Sequence, residues 1–236
     1  MFNPEKNSQK INEQDLSLKL ETSRFQLSNE SLELIKKARE HLTELQKTKS
    51  EVMGLGFFGS RMVKNEHDES DLDCLIFYNG NEANNKDEIY RQLRSSLHEI
   101  NYNDSSPVPY EIPNSIDLSE VGIQKMIKNF NQLVQISKTP GNEEIAFLGK
   151  SGKPRGNVWD MVSPFFLSVG DGVYQARMKI FSELEKLDDG DEVWKKIVFF
   201  LSYIERDAET KKRESLPKYK FYPQTIEDAK KFFKVL

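Results

Sequence analysis

The chain has 236 residues, a net charge of −4 at neutral pH and a single cysteine. This length suits one or two compact domains, and one cysteine excludes an internal disulfide framework. The acidic balance argues against a dedicated binder of long nucleic acid, because such proteins normally carry a basic excess that neutralises phosphates.

The hydropathy pattern favours a protein that neither crosses a membrane nor is exported. The sequence contains no apolar run of the roughly eighteen residues that a transmembrane helix needs. Its first residues, MFNPEKNSQK, lack the apolar core of a signal peptide. We therefore expect a cytoplasmic protein without a membrane partner.

The beginning of the chain predicts a polar arm followed by a helix. Residues 1–29 are mostly polar and are expected to form the arm. Apolar side chains then recur at three-to-four spacing over residues 28–49, which predicts an amphipathic helix with Ser31 as its cap.

Two predicted strands flank the most informative segment. Residues 51–58 (EVMGLGFF) and 71–78 (DLDCLIFY) are short apolar runs, and a turn signal, Asn79-Gly80, follows the second. Between them we expect a short helical turn and a loop. The elements predicted next are a helix at 86–100, a loop at 101–113, a third strand at 115–118 and a helix at 121–136.

The rest of the chain predicts helices, with no comparable strand signal after about residue 150. Helices are predicted at 158–167, 173–187, 192–207 and 225–236, the last with Thr225 and Asp228 as a capping box. The predicted fold class is therefore α+β. A mixed sheet flanked by helices occupies residues 30–138, and a mainly helical C-terminal domain occupies residues 139–236.

The segment that carries chemistry is Gly59-Ser60, ten further residues, and then Asp71-Leu72-Asp73. Side chains alternate faces along a strand, so Asp71 and Asp73 are predicted to point to the same side. Two carboxylates so close together repel each other unless a cation lies between them. Their hard oxygen atoms suit magnesium, which also takes oxygens from a triphosphate.

Gly59 and Ser60 have the properties of a phosphate-binding turn at the end of the preceding strand. Glycine allows the backbone to approach a phosphate closely, and Ser60 offers both an N–H group and a hydroxyl. A helix starting here would add free N–H groups and a favourable dipole.

Together, Phe58-Gly59-Ser60 and Asp71-Leu72-Asp73-Cys74 resemble the signature of polymerase β-type nucleotidyltransferases. The spacing is similar to that of the minimal nucleotidyltransferases, and the resemblance covers residues 31–120. It implies a nucleotidyltransferase-type mixed sheet with a third carboxylate on a neighbouring strand. Asp117 fits this role best, with Glu111 and Glu120 as alternatives.

The resemblance implies a magnesium-dependent enzyme that transfers a nucleoside monophosphate from a nucleoside triphosphate, expected to be ATP, to an acceptor hydroxyl. Pyrophosphate would leave, and two magnesium ions would stabilise the attacking and leaving oxygens. The catalytic and metal-binding residues implied are Asp71, Asp73 and Asp117. The nucleotide-binding residues implied are Gly59, Ser60 and Arg61.

The sequence leaves the identity of the acceptor open. It is a small molecule, as in enzymes that modify aminoglycosides or lincosamides, or a partner protein, as in toxin–antitoxin systems. An RNA end fits the acidic balance poorly. A catalytically silent nucleotide-binding module is the alternative from a different class.

Two further patterns favour structural interpretations. Residues 54–59 match G-x-G-x-x-G, but a dinucleotide fingerprint should open a helix, and these glycines lie inside a predicted strand. Aromatic residues of the C-terminal half are interpreted as the core of its helices: Trp159, Phe165, Phe166, Trp194, Phe199 and Phe200.

Overall fold

A computed structural model describes the backbone of residues 25, 27–63, 72–80, 110–143, 145–149, 152–210 and 222–234. The helix predicted at 86–100 and nearly all of the arm predicted at 1–29 lie outside these residues. Asp71 does as well.

The described strands form one mixed sheet with the order β3-β2-β1-β4. Strand β1 is antiparallel to both β2 and β4, whereas β2 and β3 are parallel. The predicted α+β class with a mixed sheet is confirmed at this level. The strands are β1 (Val52–Phe58), β2 (Leu72–Tyr78), β3 (Tyr110–Asp117) and β4 (Leu167–Val169).

Helices precede, separate and follow these strands. Two short 3-10 turns, Ser60–Val63 and Ser163–Phe165, add to them. The helices are α1 (Asn29–Gln46), α2 (Glu120–Ser137), α3 (Gly156–Val162), α4 (Asp171–Leu184), α5 (Gly190–Thr210) and α6 (Ile226–Lys234).

Of the two helix caps predicted from the sequence, one is confirmed and the other was wrong. The capping box predicted for α6 is present, since the Asp228 amide donates to Thr225 Oγ1 at 3.1 Å and the Thr225 hydroxyl bonds the Asp228 carboxylate. The cap predicted for α1 was wrong. Ser28 accepts from the Ser31 amide at 3.1 Å, so Ser28 is the cap and Ser31 is buried within the first turn.

Two strands differ from their predicted positions. β3 begins at Tyr110, inside the predicted loop, because Pro113 lies at an irregularity of an edge strand, where proline is tolerated. β4 lies where a helix over 158–167 was predicted to end. Its three residues pair with β1, so a strand from beyond residue 139 completes the sheet.

The sheet and the later helices share one hydrophobic core. Its buried side chains run from Phe25 to Ala229 along the chain, and α1 and α4 both contact β1. Phe25, which falls within the range predicted as the polar arm, is buried against the Tyr222 ring. Within the described part of the chain, no helix is long and apolar enough to cross a membrane.

Candidate active site

The turn after β1 has a backbone conformation that favours glycine. Gly59 has φ of +82°, in the region that side chains with a Cβ adopt only with strain. The 3-10 turn begins at the next residue, and the Met62 amide donates to the Gly59 carbonyl at 3.2 Å. The chain thus turns directly after the strand, at the glycine that the sequence predicted to end it.

The carboxylate of Asp73 lies directly against this turn. Asp73 on β2 is the register partner of Phe58, the residue that precedes Gly59. A Cβ built on Gly59 would come within 1.8 Å of Asp73 Oδ2. Only a hydrogen atom fits at that position, so the structure brings together these two residues of the predicted site. Asp73 is half-buried at this end of the sheet.

Ser60 follows Gly59 in the sequence, and Asp71 comes two residues before Asp73. Ser60 is the first residue of the 3-10 turn, although its side chain lies outside the described part of the structure. Asp71 lies outside the described residues altogether, directly before the start of β2 at Leu72. Whether both carboxylates share one face therefore stays a prediction.

Arg61 does not face the site as expected for a triphosphate contact. Its side chain is fully buried, and Nη2 lies 3.4 Å from the Glu30 carboxylate at the start of α1. The 3-10 turn also packs against α5. In this structure Arg61 ties the turn to the surrounding helices, because burial leaves no surface of this residue for a ligand to contact.

Asp117 lies at the opposite end of the sheet from Asp73. It is the register partner of Tyr78, five residues further along β2 than Asp73. At about 3.3 Å per residue this separates the two by about 16 Å along the strand. The structure therefore does not bring Asp117 to the turn at Gly59.

Asp117 instead fixes the far end of the sheet. Its Oδ1 accepts from the Gly80 amide at 2.8 Å and from the Ser119 amide at 2.9 Å. These bonds join the turn after β2 to the start of α2. Glu120, another alternative for the third carboxylate, lies at this same end and pairs with Lys179 at 3.0 Å.

Glu111 is the acidic residue that the strand register places beside Asp73. Residues 111 and 73 are Cα partners in the parallel pair of β2 and β3. An extra residue in β3 follows directly, so the pairing resumes as Leu75 with Asn114. This irregularity and Pro113 made the segment resemble a loop in the sequence.

An aromatic cluster adjoins the site, and two of its members, Trp159 and Phe166, were interpreted from the sequence as helical core. The Phe58 ring stacks on Phe166 at 5.3 Å and lies 5.6 Å from the indole of Trp159 on α3. Phe166 is fully buried, whereas Phe58 and Trp159 are only half-buried. Because cross-strand partners share a face, this cluster lies on the same face of the sheet as the Asp73 side chain.

Asp160 follows Trp159 on α3 and has an altered acidity. Burial raises the pKa of its carboxyl above the ordinary value, while the positive charge of Lys125 on α2 acts in the opposite direction. A carboxyl held partly out of water next to the aromatic cluster is more readily protonated than one at the surface.

The residues present fit a magnesium site by their chemistry. Among the described side chains, no three of His, Cys, Asp and Glu group closely enough to hold a metal ion. The described side chains do not include those of Asp71 and Glu111. Asp71 is two residues before Asp73 in the sequence, and Glu111 is the Cα partner of Asp73 on β3. Three carboxylates would supply the hard oxygen ligands that magnesium prefers.

Comparison of the chain with protein-family models, with curated proteins and with solved structures gives no significant match.

Proposed function

We propose that the chain is a magnesium-dependent nucleotidyltransferase that transfers a nucleoside monophosphate from a nucleoside triphosphate to an acceptor hydroxyl. The observation that supports this most strongly is the contact between the Asp73 carboxylate and Gly59. This contact puts a carboxylate, a group that can ligate a metal ion, against a turn suited to phosphates. Motif spacing and the mixed sheet agree with the same reaction class.

In this proposal the metal-binding carboxylates are Asp71, Asp73 and Glu111. Glu111 replaces Asp117 because it is the register partner of Asp73, whereas Asp117 caps the far end of the sheet. When bound, magnesium would neutralise charge on the triphosphate and favour departure of pyrophosphate. Binding it would also relieve the repulsion between neighbouring carboxylates.

In this proposal the protein promotes the reaction by positioning the triphosphate and the acceptor hydroxyl. Backbone N–H groups at Gly59 and Ser60 hold the terminal phosphates, which orients the α-phosphorus toward the acceptor. The acceptor oxygen attacks the α-phosphorus, the bond to the oxygen bridging the α- and β-phosphates breaks, and pyrophosphate leaves with that oxygen. The hydroxyl proton passes to a carboxylate of the cluster, for which Glu111 is the proposed group.

The test is transfer of label from α-labelled nucleoside triphosphates, with ATP as the expected donor. The acceptor panel comprises aminoglycosides, lincosamides and a cytoplasmic protein extract, each with and without magnesium. We expect a labelled product and pyrophosphate with one acceptor class, and loss of both in Asp73→Asn. Nucleotide binding that requires neither magnesium nor Asp73, without pyrophosphate release, would contradict the proposal.

A further inference from the structure

The half-buried indole of Trp159 lies next to the proposed phosphate-binding turn. Its ring centroid is 5.6 Å from that of Phe58, the residue directly before Gly59. Phe58 is in turn the register partner of Asp73. When the phosphates of a nucleotide lie at Gly59, its sugar and base are therefore long enough to reach this indole.

The cluster behind the indole holds it in place. Phe166 is fully buried and contacts both rings, at 5.3 Å from Phe58 and 5.9 Å from Trp159. Trp159 also lies within α3, so its backbone is fixed by a helix rather than a free loop. An aromatic ring that is already ordered loses little conformational entropy when a ligand stacks on it.

From this arrangement we propose that Trp159 stacks on the base of the bound nucleoside triphosphate. The inference depends on the proposed function, since it assumes that phosphates bind at Gly59. Flat aromatic rings recognise bases through their π-faces with little preference among them. Trp159 would thus contribute affinity for the nucleoside portion and leave phosphate binding to the turn.

The chain offers a built-in control, because Trp194 is its only other tryptophan. Trp194 is buried between helices, with Phe165 and Phe181 as ring neighbours and Lys230 over its face. Its emission should not respond to a ligand at Gly59. Trp194→Phe leaves Trp159 as the sole reporter, and Trp159→Phe leaves Trp194.

Tryptophan emission is titrated with magnesium and ATP, or with magnesium and inorganic tripolyphosphate, which has no base. In Trp194→Phe we expect ATP to change the emission in a saturable way and tripolyphosphate to leave it unchanged. In Trp159→Phe neither compound should change it. Equal responses of Trp159 to both compounds, or no response to bound ATP, would overturn the stacking assignment.

Calorimetry separates this inference from the proposed function. Trp159→Ala should weaken ATP binding by about 5- to 50-fold, whereas Trp159→Phe should keep most of the affinity because it retains a ring. Unchanged ATP affinity in Trp159→Ala would overturn the inference alone. If none of the four nucleoside triphosphates binds the unmodified protein, the proposed function fails with it.

Discussion

Asp73 and Gly59 are in contact: the carboxylate of one occupies the space that a side chain on the other would need, since Oδ2 lies only 1.8 Å from the place that a Cβ would take. Each residue therefore constrains the other. The glycine must stay a glycine for the Asp73 carboxylate to lie against the turn.

This contact predicts that Gly59→Ala removes binding of magnesium and ATP. The new methyl group would displace the Asp73 carboxylate, and the positive φ of +82° adds strain of about 1–2 kcal/mol. Gly141→Ala is the matched control, since Gly141 has φ of +87° with nothing within 4 Å of its Cβ position. Calorimetric titration and thermal unfolding distinguish the two.

Both variants carry the strain of a positive φ, and Gly59→Ala adds the clash with Asp73, so it should be the more destabilised of the two. Only Gly59→Ala should lose nucleotide binding. If Gly59→Ala binds magnesium and ATP normally, the turn and Asp73 do not form the site.

Glu111→Gln and Asp117→Ala should have opposite consequences. Glu111→Gln is expected to abolish transfer while leaving the free energy of unfolding nearly unchanged. Asp117→Ala removes the acceptor of the Gly80 and Ser119 amide bonds, which should cost about 2 kcal/mol of stability. Denaturant unfolding and the transfer assay check both. A stable but inactive Asp117→Ala protein would restore Asp117 as the third carboxylate.

Arg61 should matter for stability and not for nucleotide affinity. Its buried guanidinium pairs with Glu30 and secures the 3-10 turn, so Arg61→Ala should lower the free energy of unfolding by about 2–4 kcal/mol. ATP affinity is then measured well below the melting temperature of the variant. A stable variant with strongly weakened ATP binding would show that Arg61 contacts the triphosphate.

The raised pKa of Asp160 predicts a specific dependence of stability on pH. Burial raises the pKa of this carboxyl in the folded protein, with Lys125 opposing the rise, so the folded state holds the proton more tightly than the unfolded state. Stability from this group is therefore complete below its unfolded pKa of about 3.9 and is lost as pH rises through the folded value. Asp160→Asn should raise the melting temperature at pH 7 and lose that advantage in acid.

Asp189 supplies a control of opposite sign. Hydrogen bonds from Lys138 and Gln135 lower the pKa of its carboxyl, so its contribution is present at neutral pH and disappears as pH falls through the folded value. Asp189→Asn should lower the melting temperature at pH 7, with the difference shrinking toward acid. The same direction of change in both variants at pH 7 would contradict this assignment of the two carboxyls.

The sequence predicts strands β1 and β2 and singles out Gly59 and Asp73 because these signals are local. Two short apolar runs, a glycine at the end of one and an acid near the start of the other, are sufficient once the strands pair. The position of Glu111 beside Asp73 could not be predicted in this way, since the register of β3 depends on its pairing with β2 across a long connection. Pro113 also disguised the start of that strand.

Other differences between the predicted and the observed structure arise from tertiary contacts. β4 has three residues and exists because β1 offers it an edge, a context that no short sequence window contains. Trp159 and Phe199 were interpreted as core of the C-terminal helices. Trp159 packs against the core but is only half-buried, and Phe199 is exposed. Apolar periodicity identifies the face of a helix but not whether another element covers it.

The most direct measurement is a crystal structure of the protein with magnesium and a nonhydrolysable ATP analogue. We predict a magnesium ion about 2.1 Å from an oxygen of Asp73, with the terminal phosphates on the backbone N–H groups of Gly59 and Ser60. A triphosphate bound away from this turn, or a metal ion that Asp73 does not ligate, would contradict the proposed active site.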